Sequence, residues 1–226
     1  MKTAIVTGAT SGIGKALTLS LAARGVRVVA LGRNPSVLKE LARGSEVMPL
    51  EFDLSADNVE EVLPTAVRLL GAAPDFLVNN AGYNSRKAPW VEVEAEELDA
   101  LYRVNLRAPL LLSKAGLALM MNRGSGHILN VISTVVHRGI EEMGAYTAMK
   151  QGLLGGTRVL IKEAAKTGIK VTAFCPGGTD TDFRAAERPE YMRPESVAEM
   201  AEHVLFAPRD VVVHEMTFRP MVETNF

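Results

Sequence analysis

The chain predicts an α/β fold, a doubly wound, seven-stranded parallel sheet flanked by helices, and three observations carry that expectation. Short β-branched runs alternate with longer amphipathic ones from end to end, as repeated βαβ units do. The 226 residues, 47% apolar and 23% charged, suffice for one well-filled core and would be cramped as two. No internal repeat, low-complexity tract or Pro/Ser-rich linker breaks the rhythm, so residues 1–226 are expected to form a single domain.

Taken in order, the first β-branched run, Thr3–Thr7, predicts a strand, and Ile13–Arg24, stopped by Gly25, a helix. Strand Arg27–Leu31 and helix Ser36–Ala42 follow, then strand Val47–Phe52 and helix Asp57–Leu70. Strand Phe76–Asn79 leads to a helix from Glu96 to Asn105 that runs on toward Met121. Its apolar part, from Ala108 to Met121, is interrupted by Ser113 and Lys114 and is too short to span a bilayer. Strand His127–Ile132, helix Ala145–Lys166 closed before Gly168, and strand Lys170–Cys175 come next. Helix Pro194–Phe206, with proline at its first position, and strand Val211–Phe218 complete the pattern. A ligand of such a sheet lies beyond the carboxyl ends of the strands, where the strand order reverses.

Composition narrows the partners. The formal net charge is −1 with the two signs interspersed, so neither nucleic acid nor a membrane is expected, and a small molecule or another copy of the chain is. The start, Met1 to Val6, shows no charged leader followed by a long apolar segment, which predicts a cytoplasmic protein. The lone Cys175 allows no intrachain disulfide and reads as a small buried hydrophobe.

Directly after the first strand, Thr7-Gly8-Ala9-Thr10-Ser11-Gly12-Ile13-Gly14 opens a helix. A glycine-rich strand-to-helix turn lets backbone N–H groups and the helix dipole meet a pyrophosphate, with Gly8 making the turn, Gly12 the close approach and Gly14 the packing. After the second strand, Ala30-Leu31-Gly32-Arg33-Asn34 carries no acid for a ribose and none to repel a phosphate. Arg33 thus reads either as a bidentate partner for a 2′-phosphate, which favours NADP(H) with NAD(H) possible, or as a solvated loop charge. Asp53, after the third strand, is placed near an adenine site and reads equally as a loop or capping residue.

Two segments have the form Tyr-x-x-x-Lys, Tyr146 to Lys150 and Tyr83 to Lys87. Only the first falls in a predicted helix, where a spacing of four shares one face and an ammonium favours the phenolate. Ser133, just after the fifth strand, can reach the same crevice and hydrogen-bond a carbonyl oxygen. Singly, each of these residues has a plainer reading as a cap, a core aromatic or a solvated charge.

Together the residues resemble the short-chain dehydrogenase/reductase family, in its main branch. Thr7 to Gly14 resembles its TGxxxGxG turn, Asp53 its adenine-side aspartate, and Asn79-Asn80-Ala81-Gly82 its NNAG strand end. Asn105, Ser133, Tyr146 and Lys150 are similar to its catalytic set, and Pro176-Gly177-Gly178-Thr179-Asp180-Thr181 to the loop that holds the nicotinamide. The resemblance implies a Rossmann-like fold and an oxidoreductase that interconverts a carbonyl and a secondary alcohol. In it Tyr146 is the general acid/base, Ser133 polarises the oxygen, Lys150 lowers the tyrosine pKa and binds ribose, and Asn105 holds a water. The cofactor contacts so implied are Gly8, Thr10, Ser11, Gly12, Ile13, Gly14, Arg33, Asp53, Leu54, Asn80, Ala81, Gly82, Tyr146, Lys150, Pro176, Gly177, Thr179 and Thr181.

Val136 departs from the family, which usually has glycine there, and adds a β-branched wall. Residues 182–193 form a short expected lid, with Val135, Val136, Met143, Phe183, Tyr191 and Met192 as apolar lining and Arg86, Arg184 and Arg188 available to an anion. His127, His137, His203 and His214 show no metal-ligand spacing, so no metal is expected. Leu110, Leu111, Leu112, Leu117, Leu119 and Met120, with Gly152, Gly155 and Gly156, read as a homodimer or homotetramer interface or as a sheet cover. Two other classes share parts of the pattern, a non-catalytic dinucleotide-binding redox regulator and a sugar-nucleotide epimerase. The regulator has no need of an acid and an oxyanion partner, and the epimerase ordinarily carries a larger substrate domain.

Overall fold

The computed structural model describes residues 1–44, 46–55, 58–181, 183 and 188–224. Its strands are β1 (Thr3–Thr7), β2 (Arg27–Gly32), β3 (Val47–Glu51), β4 (Phe76–Asn79), β5 (Gly126–Val131), β6 (Ile169–Pro176) and β7 (Glu215–Phe218). Among the described residues they make one seven-stranded sheet in the order β3-β2-β1-β4-β5-β6-β7, parallel at every step. The expected Rossmann-like doubly wound sheet is therefore present.

Burial follows position in the sheet. β1 and β4 are buried along their whole length, whereas the edge strands β3 and β7 alternate. Central parallel strands have both faces covered, so every side chain is interior, and edge strands keep a wet side. Successive residues point to opposite faces. Ala4 and Val6 of β1 accordingly join Leu17, Leu21, Val197 and Ala201 in one layer. Ile5 joins Leu63, Leu112 and Met120 in the other.

The helices are α1 (Gly12–Ala23), α2 (Pro35–Leu41), α3 (Val62–Leu70), α4 (Ala95–Tyr102), α5 (Ala108–Arg123), α6 (Gly144–Ala164) and α7 (Pro194–Leu205). Most termini lie within a residue or two of the sequence expectation, the ordinary scatter of helix ends. Three elements differ for physical reasons. The expected helix from Asp57 is a 3₁₀ turn over Val59–Glu61 followed by α3, and Asp57 itself lies outside the described residues. The expected long helix from Glu96 is α4, a π-helical turn over Arg103–Arg107, and α5. Pro109 in the first turn of α5 has no N–H to return to the carbonyl of residue 105, and the wider turn accommodates that loss. The expected strand from Val211 begins only at Glu215. Upstream of it, the Val213 carbonyl accepts the Thr172 hydroxyl at 2.6 Å instead of a backbone bond.

Between β1 and β4 the chain changes direction across the sheet, since β2 and β3 lie on one side and β5 to β7 on the other. The crevice at their carboxyl ends is the topological switch point, the place where such sheets take ligands.

Candidate active site

At the end of β1, Gly8 and Gly12 hold left-handed φ angles of 66° and 48°, which side chains rarely tolerate. A Cβ on Gly14 would lie 2.2 Å from the Gly8 carbonyl and 2.4 Å from Asn80 Nδ2. Asn80 itself stitches the crevice, its Nδ2 donating to the Thr7 carbonyl at 2.9 Å, while Thr7 Oγ1 accepts the Asn80 and Ala81 amides at 3.0 and 2.9 Å. Asn80 thus supports the turn with its side chain. Ser11 is the N-cap of α1 with no side-chain capping bond, so the first amides of α1 have no partner within the helix. Thr181 closes the opposite wall, its Cγ2 3.0 Å from where a Cβ on Gly12 would sit. The result is a backbone-lined turn at a helix N-terminus, the kind of place that takes a phosphate.

The adenosine end shows a pairing that the local sequence does not. The register of β2 with β3 sets Gly32 opposite Glu51, which brings the following residues together. Arg33 Nη1 lies 3.9 Å from Asp53 Oδ2. Asp53 Oδ1 also accepts the Ser55 amide at 2.9 Å. That bond, helped by the Arg33 guanidinium, holds the carboxyl below its ordinary range. A carboxylate does therefore stand beside Arg33, although none is near it in the chain. Leu54 is buried at 5% exposure and packs in the core. Thr10 fits against β2 because Gly32 has no side chain, a Cβ there falling 2.5 Å from Thr10 Cγ2.

At the chemical end, α6 buries both Tyr146 and Lys150, at 6% and 3% exposure. Lys150 Nζ donates to the Val131 carbonyl at 3.0 Å and lies 5.8 Å from the centroid of the Tyr146 ring. Burial pulls the lysine pKa down from 10.5 to about 8. A Cβ on Gly82 would sit 2.8 Å from Asn105 Oδ1 and 3.4 Å from Lys150 Nζ. The missing side chain at Gly82 is what lets each of them lie so close to its backbone. Asn105, fully buried in the π-helical turn, donates through Nδ2 to the carbonyls of Tyr83 at 2.9 Å and Leu101 at 3.2 Å. Its Oδ1 accepts the Tyr83 amide at 3.3 Å. Ser133 follows β5, and its Oγ accepts the Val135 amide at 3.3 Å.

The structure thus gathers Asn105, Ser133, Tyr146 and Lys150 at the carboxyl ends of β4 to β6. The second Tyr-x-x-x-Lys segment, Tyr83 to Lys87, has no regular structure, and Tyr83 contributes the backbone groups that anchor Asn105. Around Tyr146, Val135 and Val136 are buried in one cluster with it, and Met143 packs at its edge. Phe183 sets its ring 5.7 Å from the tyrosine ring. Of the arginines expected to meet an anion, Arg86 lies 3.7 Å from Glu97 and 3.5 Å from Glu92. Arg188 lies 3.9 Å from Glu190, and Arg184 falls outside the described residues. Of the expected lid, residues 182 and 184–187 lie outside them too. Its far end runs along the Pro176–Thr181 loop, with the Met192 amide on the Gly178 carbonyl at 3.1 Å and the Asp180 amide on the Met192 carbonyl at 2.9 Å.

Beneath the site is a buried polar network that sequence reasoning missed. Asn79 Nδ2 donates to Asn130 Oδ1 at 2.7 Å and to Ser113 Oγ at 3.0 Å. Asn130 Nδ2 donates to Thr157 Oγ1 at 2.9 Å, so β4, β5, α5 and α6 are cross-linked under the catalytic end. The signal was a polar residue inside each of two apolar runs, Asn130 alone in its strand and Ser113, with Lys114, in its helix. Gly152 and Gly156, read as possible interface residues, seat Leu106 and Leu110 of the same chain. Among the described residues no group of three His, Cys, Asp or Glu is placed to hold a metal, and no helix is long and apolar enough to cross a membrane.

A glycine cradle at the switch point of a doubly wound sheet, with a buried tyrosine and lysine beside it, is the arrangement of a dehydrogenase. The chain belongs to the short chain dehydrogenase family, whose model matches residues 2–192, and is an oxidoreductase of that type. An uncharacterized oxidoreductase of Staphylococcus aureus strain USA300 is 33% identical over 228 residues, spanning 97% of each chain. The alcohol dehydrogenase of the archaeon Thermococcus sibiricus, solved in complex with 5-hydroxy-NADP, superimposes with a TM-score of 0.91 at 28% identity, covering 100% of this chain and 99% of that one. Serine dehydrogenase from Escherichia coli superimposes with a TM-score of 0.89 at 26% identity, covering 99% and 100%.

Proposed function

We propose that the protein is an NADP(H)-dependent oxidoreductase that interconverts a carbonyl and a secondary alcohol, with Tyr146 as general acid/base. The observation that carries the reading is Lys150. It is an ammonium buried at 3% exposure, tied to the Val131 carbonyl at 3.0 Å and set beside a buried tyrosine. Burying a charge is costly, and a structural role would be met by an apolar residue.

The glycine turn, with Gly8, Gly12 and Gly14 making room for backbone amides, fits a dinucleotide pyrophosphate. Arg33, exposed after β2, could offer its guanidinium to a 2′-phosphate in place of the loose 3.9 Å pair with Asp53, and the Thermococcus enzyme bound to a hydroxylated NADP supports that choice. The Pro176–Thr181 loop would hold the nicotinamide. Bound NADP(H) supplies or takes up the hydride, and the rest is done by the chain.

In reduction, the Tyr146 phenol passes its proton to the carbonyl oxygen. Ser133 donates its hydroxyl hydrogen to the same oxygen, which is consistent with its Oγ already accepting the Val135 amide. Lys150 steadies the phenolate that forms and, with one N–H on Val131, keeps others for a ribose. Asn105 is immobilised by Tyr83 and Leu101, and its Oδ1 near Gly82 would seat a water that returns protons to Lys150. Val135, Val136, Met143 and Phe183 would give the substrate an apolar wall.

The test is an NADPH-consumption screen over ketones, keto acids and keto esters, run with Tyr146→Phe alongside. Loss of a general acid is expected to lower kcat by about 10²-fold or more. Full activity in Tyr146→Phe would overturn the mechanism, and NADPH binding without turnover of any carbonyl would favour the redox regulator.

A further inference from the structure

The loop assigned above to the nicotinamide is held from a direction that the family pattern does not contain. Glu223 lies beyond the matched residues 2–192, in the segment that follows β7. Its Oε1 accepts the Gly178 amide at 3.2 Å, and its Oε2 lies 3.8 Å from Arg138 Nη2, with side-chain exposures of 11% for Glu223 and 19% for Arg138. Arg138 closes the short turn after Ser133, its amide donating to the Val135 carbonyl at 3.3 Å. One carboxylate therefore links the turn that carries Ser133 to the loop that follows β6. Both glycines of that loop are needed for the approach. A Cβ on Gly177 would lie 2.9 Å from Glu223 Oε2, and one on Gly178 would lie 2.9 Å from Oε1 and 2.5 Å from the Tyr191 ring. The Gly177 amide adds a bond of 2.8 Å to the Phe218 carbonyl.

We propose that Glu223 is a positioning residue that locks the Pro176–Gly178 loop against the turn after Ser133, so that the nicotinamide half of the cofactor meets a preformed site. The inference rests on the assignment of that loop under the proposed function. The carboxylate holds the Gly178 amide through a charge-assisted hydrogen bond, and the Arg138 guanidinium at 3.8 Å adds charge attraction without a hydrogen bond to Oε2. Their loss frees the loop without touching the glycine cradle or Arg33.

The experiment titrates wild type, Glu223→Ala and Glu223→Gln with NADPH and with adenosine 2′,5′-bisphosphate, which lacks the nicotinamide. Glu223→Ala is expected to weaken NADPH by at least about tenfold, the scale of one hydrogen bond to a charged group, and to leave the bisphosphate unchanged. Glu223→Gln, whose amide oxygen still accepts from Gly178, is expected to recover part of that loss. Equal weakening of both ligands, or NADPH binding unchanged in Glu223→Ala, would overturn the inference while the cofactor assignment stands. Wild type that binds neither NADPH nor NADH would overturn the cofactor assignment, and the inference with it.

Discussion

Replacing Lys150 with methionine should leave the chain inactive and yet change its stability in a way set by pH. The lysine is buried at 3% exposure, and burial lowers its pKa from 10.5 to about 8. In the unfolded chain it titrates near 10.5, so between about pH 8 and 10.5 the unfolded state binds more protons and folded stability must rise with pH. Below pH 8 both states carry the proton, and the folded state bears the full cost of a buried charge. The fall to about 8 corresponds to roughly 3 kcal/mol at 1.36 kcal/mol per pH unit. Methionine removes that cost and also removes the partner of the Val131 carbonyl, a loss of about 1–3 kcal/mol that does not depend on pH. The difference between the two proteins is therefore most informative as a slope. Urea denaturation at pH 7, 8.5 and 10 should show wild type gaining about 2–3 kcal/mol relative to Lys150→Met across that range. Parallel curves would refute the claim that the ammonium is desolvated. Retained turnover in Lys150→Met would refute the catalytic role proposed for it.

Other outcomes follow from the same structure. His127, at 3% exposure, has its pKa lowered from 6.5 to about 4, chiefly by burial and then by Lys170. Stability should therefore fall by roughly 3 kcal/mol as pH drops from 6.5 to 4, and His127→Gln should flatten that slope in urea melts. Arg33→Ala should weaken NADPH far more than NADH in fluorescence titrations, and equal losses would remove the 2′-phosphate role. Gly14→Ala forces a Cβ to 2.2 Å from the Gly8 carbonyl and should cost about 1–3 kcal/mol or more, lowering both Tm and dinucleotide affinity.

How much of this was legible beforehand depended on the distance over which each feature is determined. The strand rhythm was legible because both faces of β1 and β4 are covered, so burial writes itself into consecutive residues. Tyr146 and Lys150 were legible as a pair because a helix fixes the geometry of residues four apart, and Tyr83 and Lys87, in a segment without regular structure, were not. The π-helical turn at Arg103–Arg107 was not anticipated, although Pro109 was its visible cause, because the sequence does not say where a helix will absorb a missing donor.

What the sequence determined by itself was local. It indicated the alternation of strands and helices, where the glycine turn opens α1, and which residue types stand near the strand ends. The tertiary structure alone decided the pairings between distant residues. Asp53 stands beside Arg33 because β2 and β3 are in register, and Asn105 and Lys150 both stand close to Gly82 because it has no side chain to keep them off. Glu223 reaches Gly178 across 45 residues. Such contacts are formed by strand order and packing, which bring together side chains that no periodicity along the chain relates.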